Sequence, residues 1–279
     1  FRSIFLDSYG DPVGRVWYSK MGSTALIRRK QLKAAENEIG FRLVIEMVSR
    51  KLKNQAGFLK KLMAARPGKK EIFEKALGPI ENSMGELERM QCDISDWRER
   101  IRGLEGTSGR AYFGCISSVM PDKFRFKGRS KRPAKDPFNA VLNYCYGILY
   151  SLVEKACIIS GLDPYVGFLH TDNYNKRSMV FDFIEPFRIF SEQAAVYLFT
   201  GRKIKDDFFE STENSVSLNQ QGKPVVVDAL TKHLDETVRY RRRNAKRKYI
   251  IQHEAHRMAN RLLEGEDVKR PEWLDIQEF

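Results

Sequence analysis

The sequence predicts a mainly α-helical protein that begins with the end of a small β segment. Apolar residues recur at spacings of three to five over long stretches of the 279-residue chain, and this is the period of a helix with one buried face. One stretch, PFNAVLNYCYGILYSLVEKACIISG, is apolar nearly all round, which is typical of a helix at the centre of a core. A strand–turn–strand pattern occurs at the beginning of the chain.

That N-terminal segment, FRSIFLDSYGDPVGRVWYS, predicts a β-hairpin. An isolated hairpin is only marginally stable in water, and the chain starts at Phe1 without a methionine. We therefore expect residues before Phe1 to complete a sheet. The predicted organisation is a β-domain end and linker at 1–20, a helical domain at 21–265 and a loose tail at 266–279.

Residues 23–65 are predicted to form one long helix or two, which the motif RPGKK at 66–70 interrupts. One face of this region should be buried, because its apolar residues recur at helical spacing. The members of that face are Leu32, Ala35, Ile39, Leu43, Met47 and Leu52. Residues 71–101 suggest one or two charged surface helices, and the stretch that Glu105 opens is predicted to be helical to about Val119.

A loop at 121–135 separates these helices from the apolar central helix. Asp136 is a suitable N-cap for that helix, and Pro137 suits its first turn. Gly161 is expected to end it.

The C-terminal part is predicted to contain two further helical regions. The stretch SMVFDFIEPFRIFSEQAAVYLFTG should be helical with a bend near Pro186. Residues 206–222 suggest a polar loop. A long helix is predicted from Val225 to Leu263, and it includes the basic run RYRRRNAKRKY.

The composition indicates a hydrophobic core and a polyanionic partner. Hydrophobic residues make up 42% of the chain, the formal net charge is +13 and the isoelectric point is about 9.5. Such a balance favours nucleic acid as a partner, with solubility alone as the alternative.

The cysteines and the hydropathy pattern indicate a cytoplasmic protein. Four cysteines occur without a C-x-x-C pair, which disfavours structural zinc and a disulfide framework. Cys145 and Cys157 lie in apolar helical patterns and are interpreted as small buried residues. The sequence shows no signal peptide and no apolar run near the roughly 18 residues of a membrane span.

Candidate catalytic side chains stand next to apolar runs at three places. Glu105 opens EGTSGRAYF, His170 closes GLDPYVGFLH, and MVFDFIEPFR contains Asp182 and Glu185. The three-residue spacing of Asp182 and Glu185 predicts that both point to one helix face, where a cation or a hydrogen-bond donor would separate them. Carboxylates with one imidazole suit magnesium or manganese. The alternative is a solvated or hydrogen-bonded acid pair with a histidine in the core.

Other chemistries lack their motifs. The sequence contains no Gly-rich phosphate loop, no Gly-x-Ser-x-Gly elbow and no cysteine with an obvious base. Metal-assisted attack by water or by a DNA 3′-hydroxyl is therefore favoured.

Two basic segments, at 121–135 and 239–248, contain seven Lys and Arg residues each. Either is a candidate for phosphate contact or a solvated face. Phe124 and Phe126, in the first segment, would pack in the core or stack on a base.

Four blocks resemble, in order and spacing, the CRISPR-associated integrase that captures new spacers. They are EGTSGRAYF, RPAKDPFNAVLNYCYGILYSLVEKA, GLDPYVGFLH and SMVFDFIEPFR. KLKNQ at 51–55 and FLDSYGDPVGR near the start also resemble that family. The resemblance implies a small N-terminal β-domain, of which this chain carries the end, followed by an α-helical catalytic domain.

The resemblance also implies roles for individual residues. Glu105, His170 and Glu185 would hold Mg²⁺ or Mn²⁺, and Asp182 would be a catalytic neighbour or an alternative ligand. Tyr150 matches a tyrosine expected near the DNA end. Lys176, Arg177 and Arg188 match basic positions expected along the DNA backbone. Arg129 and Arg132, from the basic segment at 121–135, complete the DNA-binding candidates.

The reaction implied by the resemblance is insertion of a prespacer into a CRISPR array. A prespacer 3′-hydroxyl attacks a phosphodiester of the repeat, and water in its place gives an endonuclease. The implied partners are prespacer DNA, repeat and leader DNA, a small CRISPR adaptation protein and a second copy of the chain, and some members are fused to a reverse transcriptase. A non-catalytic DNA-binding scaffold is a second class of function, and a phosphoesterase for small substrates is a third.

Overall fold

The structure, a computed structural model, describes residues 3–7, 12–16, 24–92, 97–170 and 176–264. These residues form nine α-helices and three two-stranded antiparallel hairpins, so the fold is mainly α-helical as predicted. The helices are α1 (Thr24–Ala35), α2 (Glu38–Ala64), α3 (Lys70–Arg89), α4 (Trp97–Val119), α5 (Pro137–Ser160), α6 (Ser178–Phe183), α7 (Arg188–Thr200), α8 (Gly222–Asp235) and α9 (Arg247–Glu264). The strands are β1 (Ser3–Leu6), β2 (Pro12–Val16), β3 (Phe209–Ser211), β4 (Val216–Leu218), β5 (Thr237–Tyr240) and β6 (Arg243–Lys246).

The chain divides into two compact units. The first unit comprises Phe1–Val48, Ile148–Phe187 and Thr237–Glu278, and the second comprises Ser49–Gly147 and Arg188–Glu236. Helix α1 packs on α9 in the first unit, whereas α3 packs along α4 and α7 packs on α8 in the second. The domain boundaries predicted at 20/21 and 265/266 lie outside the described residues, so that division stays a prediction.

The N-terminal expectations hold in part. Strands β1 and β2 pair as predicted, and the long helical region forms α1 and α2. Leu43, Met47 and Leu52 are buried, whereas Ala35 and Ile39 are only partly buried and Leu32 is 55% exposed. The prediction for Leu32 is wrong because the helix is interrupted at 36–37, which shifts the helical phase. Helix α1 therefore buries a different set of residues, namely Thr24, Ile27, Gln31 and Ala34.

Helix α5 is the predicted central helix. Asp136 caps it, since its Oδ1 accepts a backbone N–H of the first turn at 2.8 Å, and the helix starts at Pro137. Cys145 and Cys157 are fully buried as expected, and burial raises the pKa of the Cys145 thiol to about 12. Gly161 ends the helix with a φ of +87°, a backbone conformation that favours glycine. None of the helices in the described part of the chain is long and apolar enough to cross a membrane.

The prediction of a plain loop at 206–222 is wrong. Strands β3 and β4 form a short hairpin there, with Phe209 opposite Leu218. The backbone N–H of Val216 donates to the carbonyl of Ala134 at 2.9 Å. This hairpin therefore supports the C-terminal end of the basic loop.

The single long helix predicted from Val225 to Leu263 is also wrong. Helix α8 ends at Asp235, the hairpin β5–β6 follows, and α9 begins at Arg247. The sequence of β5, TVRY, has three residues of high strand propensity. Arg241 and Arg242 make the turn with φ values of 44° and 63°, which no helix accommodates.

Candidate functional site

The clearest arrangement in the first unit is the clamp that Asp182 places on His170. The Asp182 carboxylate accepts the backbone N–H groups of Phe168, Leu169 and His170 at 2.5, 2.9 and 3.1 Å. Its Oδ1 also lies 2.5 Å from His170 Nδ1. Asp182 is 1% exposed, whereas the His170 side chain is 27% exposed. Because Nδ1 is held by the carboxylate, Nε2 is the ring nitrogen left for a ligand.

A glutamine of α1 holds the segment that carries His170 by hydrogen bonds. The buried Gln31 amide donates to the carbonyls of Asp163 and Val166 at 2.9 and 2.8 Å, and its oxygen accepts the Asp163 backbone N–H at 2.8 Å. A Cβ at Gly167 would lie 2.7 Å from Ser178 Cβ. Only glycine lets this segment approach the start of α6 so closely. The histidine is therefore held by a rigid segment.

Phe181 lies next to three of the candidate site residues, Tyr150, His170 and Lys176. Its ring lies 5.2 Å from the Tyr150 ring and 5.9 Å from the His170 ring, measured between centroids, and Lys176 Nζ lies 5.9 Å from it. Phe181 is half-buried, while its neighbours in α6 are buried. Phe181 is not recognisable from the sequence, because it stands inside an apolar run and no local signal separates it from core residues.

Glu185 is buried, with 4% exposure, and begins a 3-10 turn, Glu185–Phe187, between α6 and α7. Helix α6 ends at Phe183, so Asp182 and Glu185 do not share a regular helix as their spacing had predicted. The reason is Pro186, which has no backbone N–H to continue the α-helical pattern. The two acids accordingly have different surroundings, and four nitrogen groups occupy Asp182.

Glu105 belongs to the second unit, on α4. Its Oε1 lies 2.8 Å from the ammonium of Lys51 on α2, and both side chains are only 14% exposed. Lys51 is the first residue of the KLKNQ motif, so this motif supplies the cation that pairs with Glu105. An ammonium thus supplies the positive charge that a metal would bring to this carboxylate.

Across the described residues, no group of three or more His, Cys, Asp or Glu side chains is arranged to hold a metal ion. The structure brings His170 and Asp182 together in the first unit, which also contains Glu185, and places Glu105 in the second. The chemistry of the donors still suits a hard divalent cation, since it consists of buried carboxylates and one oriented imidazole.

Arg177 and Arg188 have defined neighbours. Arg177 Nη1 donates to Glu154 at 2.6 Å, and Glu154 is buried. The Arg188 guanidinium lies 4.8 Å from the centre of the Tyr146 ring. Tyr146 in turn donates its O–H to the buried Glu192 at 2.7 Å, and burial raises the pKa of Tyr146. Both arginines are thus oriented by buried side chains.

The basic loop at 121–135 is a loop with one 3-10 turn, Asp122–Phe124. Arg129 donates to Asn139 and Asn143 at 2.7 and 2.5 Å and organises the loop, whereas Arg132 is exposed.

The two phenylalanines of this loop pack in the core. Phe124 is 4% exposed and meets the Phe199 ring edge-on, and Phe126 is 7% exposed and stacks on Phe138 with centroids 4.4 Å apart. The alternative in which they stack on a nucleic-acid base is wrong.

The model of the family described as "CRISPR associated protein Cas1" matches residues 2–232. The chain belongs to the Cas1 family. It is 35% identical over 260 residues to CRISPR-associated endonuclease Cas1 1 of Archaeoglobus fulgidus, a match that covers 89% of this chain and 75% of the relative. It is 31% identical over 233 residues to a Cas4/Cas1 fusion of Leptospira interrogans, covering 82% of this chain and 42% of the fusion.

Solved structures share the fold of this Cas1-family chain. A casposase bound to an integration product has a TM-score of 0.82 at 23% identity, covering 98% of this chain and 79% of that one. A Cas1 protein from Thermotoga maritima has a TM-score of 0.75 at 24% identity, with 98% and 81% covered. A chain of a Cas6-RT-Cas1–Cas2 complex has a TM-score of 0.75 at 21% identity, with 94% and 28% covered. The resemblance seen in the sequence is confirmed.

Proposed function

We propose that this chain is the catalytic part of a metal-dependent DNA endonuclease and integrase that inserts prespacer DNA into a CRISPR array. The observation that carries the proposal is the Asp182 clamp, which holds His170 in one orientation and leaves Nε2 to a ligand. Support also comes from the endonuclease names of the curated relatives and from the formal charge of +13. The basic charge favours a polyanionic substrate.

The ligands proposed for Mg²⁺ or Mn²⁺ are Glu105, His170 and Glu185. When bound, the ion supplies charge stabilisation at the reacting phosphodiester. In the proposed reaction the prespacer 3′-hydroxyl loses its proton and its oxygen forms a bond to phosphorus. The bond from phosphorus to the 3′-oxygen of the attacked strand breaks, and that oxygen takes up a proton. One phosphodiester replaces another, so no nucleotide hydrolysis is needed.

The remaining residues of the proposed site orient His170 or bind DNA. Asp182 fixes the His170 ring and the segment 168–170, while the Phe181 ring packs against both Tyr150 and His170. The proposed contacts to the DNA backbone and its end come from the residues that the family resemblance supplied and from the basic loop. They are Tyr150, Lys176, Arg177, Arg188, Arg129 and Arg132. Arg129 would act mainly by holding the loop, because its guanidinium is already bound to two asparagines.

The proposed partners follow from the same family assignment. They are prespacer DNA, repeat and leader DNA, a small CRISPR adaptation protein and a second copy of the chain in a cytoplasmic complex. A chain of a Cas6-RT-Cas1–Cas2 complex shares this fold, which makes a fused or associated reverse transcriptase a further proposed partner.

A non-catalytic DNA-binding scaffold is the alternative, and two contacts favour it. Asp182 has a full structural role in its four contacts, and Glu105 is neutralised by Lys51. In a scaffold both contacts would serve stability alone.

Strand transfer by single-site variants separates the two functions. We expect Glu105→Ala, His170→Ala and Glu185→Ala to lose strand transfer of a 3′-hydroxyl DNA end while retaining most of their DNA binding, because each variant removes a proposed ligand rather than a phosphate contact. Glu81→Ala, an exposed acid paired with Lys60 on the surface, is the matched control. Normal transfer by all three variants would leave the scaffold as the better description.

A further inference from the structure

The hairpin β5–β6 is a short cationic ribbon. Its register pairs Thr237 with Lys246 and Tyr240 with Arg243, so Arg241 and Arg242 alone form the turn. Each strand has four residues, and at about 3.3 Å per residue the ribbon is roughly 13 Å long.

Three exposed arginines lie at the turn end of this ribbon, and cross-strand pairing puts Arg243, opposite Tyr240, on one face and Arg239, opposite Asn244, on the other. Arg239, Arg242 and Arg243 are all exposed. None of these three guanidinium groups forms an ion pair with a carboxylate in the part of the chain that the structure describes. Their charges therefore face solvent without local compensation.

The ribbon is anchored rigidly on α9. The Tyr240 O–H donates to the buried carboxylate of Glu254, and Arg241 Nε donates to the same oxygen at 3.2 Å. The Tyr240 ring also stacks on His253, with an interplanar angle of 17°. Tyr240 and Arg241 thus hold the ribbon, and the three exposed arginines are left for another role.

Arginine occupies both turn positions, although their backbone conformation favours other residue types. Two-residue hairpin turns with positive φ at both positions favour Asn and Gly, yet Arg241 and Arg242 have φ values of 44° and 63°. Arg241 is explained by its bond to Glu254. Arg242 is exposed, and strain at such a position points to a role in binding.

We propose that the β5–β6 ribbon is a contact surface for duplex DNA, with Arg239, Arg242 and Arg243 on the phosphates that flank a groove. The inference rests on the proposed function only in taking DNA as the ligand. The major groove, which is about 12 Å wide, admits a two-stranded ribbon. The charge of the three arginines complements the phosphate backbone on both sides.

The test is the salt dependence of equilibrium binding to a short mixed-sequence duplex in buffer with chelator. Each lost phosphate contact should lower the slope of log K against log salt by about 0.9. The triple variant Arg239→Gln, Arg242→Gln, Arg243→Gln should therefore lose about 2.7 in slope if all three contacts exist. The control triple Lys70→Gln, Lys75→Gln, Arg89→Gln removes the same charge from exposed positions of α3 and should lose far less.

Single substitutions of Arg242 distinguish a loss of DNA contact from a loss of folding. Asn tolerates positive φ, so Arg242→Asn should raise the melting temperature while it weakens duplex binding, and Arg242→Lys should keep most of the binding. An unchanged salt slope in the arginine triple, an equal loss in the α3 control, or weakened binding to single-stranded DNA alone would overturn the proposal. Because binding is measured without metal, failure of strand transfer in the wild type would refute the proposed function and leave this test intact.

Discussion

Asp182 carries more of the local structure than its place in a short apolar motif suggests. One buried carboxylate satisfies three consecutive backbone N–H groups and one imidazole nitrogen. Hydrogen bonds to a charged group are stronger than neutral ones, and removing a buried charged acceptor leaves its donors unsatisfied. A single side chain therefore sets both the path of the 168–170 segment and the orientation of His170.

We predict that Asp182→Asn lowers the free energy of unfolding by about 3 kcal/mol. The amide offers one acceptor oxygen where the carboxylate offers two, and its NH₂ group faces donors. Strand transfer should fall with it, because the His170 ring loses its orientation. Urea unfolding measures the first effect and product formation the second. The exposed, paired Asp228 on α8 gives the control Asp228→Asn, which should change stability by less than about 0.5 kcal/mol.

Helices α2 and α9 share a partly buried contact between an acid and an arginine in the first unit. Glu46 lies 2.7 Å from Arg261, and their side chains are 17% and 12% exposed. Burial raises the pKa of Glu46 from 4.5 to about 7, against the opposing effect of Arg261. The folded state therefore keeps a proton on Glu46 over a pH range in which the unfolded state has lost it.

This pair predicts a pH dependence of stability. The contribution of Glu46 is fully present below about pH 4.5 and is lost as the pH rises to about 7. The loss is on the order of 3 kcal/mol, because one pKa unit corresponds to about 1.4 kcal/mol. Glu46→Gln should remove this slope, as followed by melting temperature against pH. Glu38→Gln, at an exposed acid on the same helix, should keep it, and parallel curves for wild type and Glu46→Gln would contradict the assignment.

Prediction from the sequence succeeded for the helices and strands whose periodicity and capping signals agree. Helix α5 has an all-apolar pattern, an N-cap at Asp136 and a stop at Gly161, and each signal points to the same boundaries. It failed at β5–β6 because arginine carries no turn signal, and the contact with Glu254 that holds the turn lies on a later helix. It failed at Leu32 because the interruption at 36–37 is made without Gly or Pro, by Asn37, whose Oδ1 accepts the Ile39 N–H at 2.9 Å at the start of α2.

In the candidate site too, local sequence signals were readable and tertiary contacts were not. Local motifs identified His170 and the acids, but the partner of each was set by tertiary contacts. Lys51 stands 54 residues before Glu105, and Gln31 stands 132 residues before Asp163. Phe181 was missed because half-burial of one aromatic ring in an apolar run is decided by packing alone.

At the scale of the whole molecule, metal binding should appear as a gain in stability. A ligand that binds only the folded state stabilises it by about 2.7 kcal/mol at a concentration 100-fold above its Kd. We predict that Mn²⁺ raises the melting temperature of the wild type and has little effect on His170→Ala or Glu185→Ala. Ca²⁺ at equal concentration controls for general ionic effects, and an equal shift in all three proteins would count against these ligands.

The ion pair between Lys51 and Glu105 has a consequence for how the proposed enzyme acquires its cation. A newly made chain can fold before any metal arrives, since the lysine already balances the half-buried acid. If Glu105 binds the cation as proposed, the incoming ion would have to displace the ammonium of Lys51. Loading would then be an exchange of one cation for another, and the apparent affinity for Mn²⁺ would be weaker than the intrinsic affinity by the free energy of separating Lys51 from Glu105.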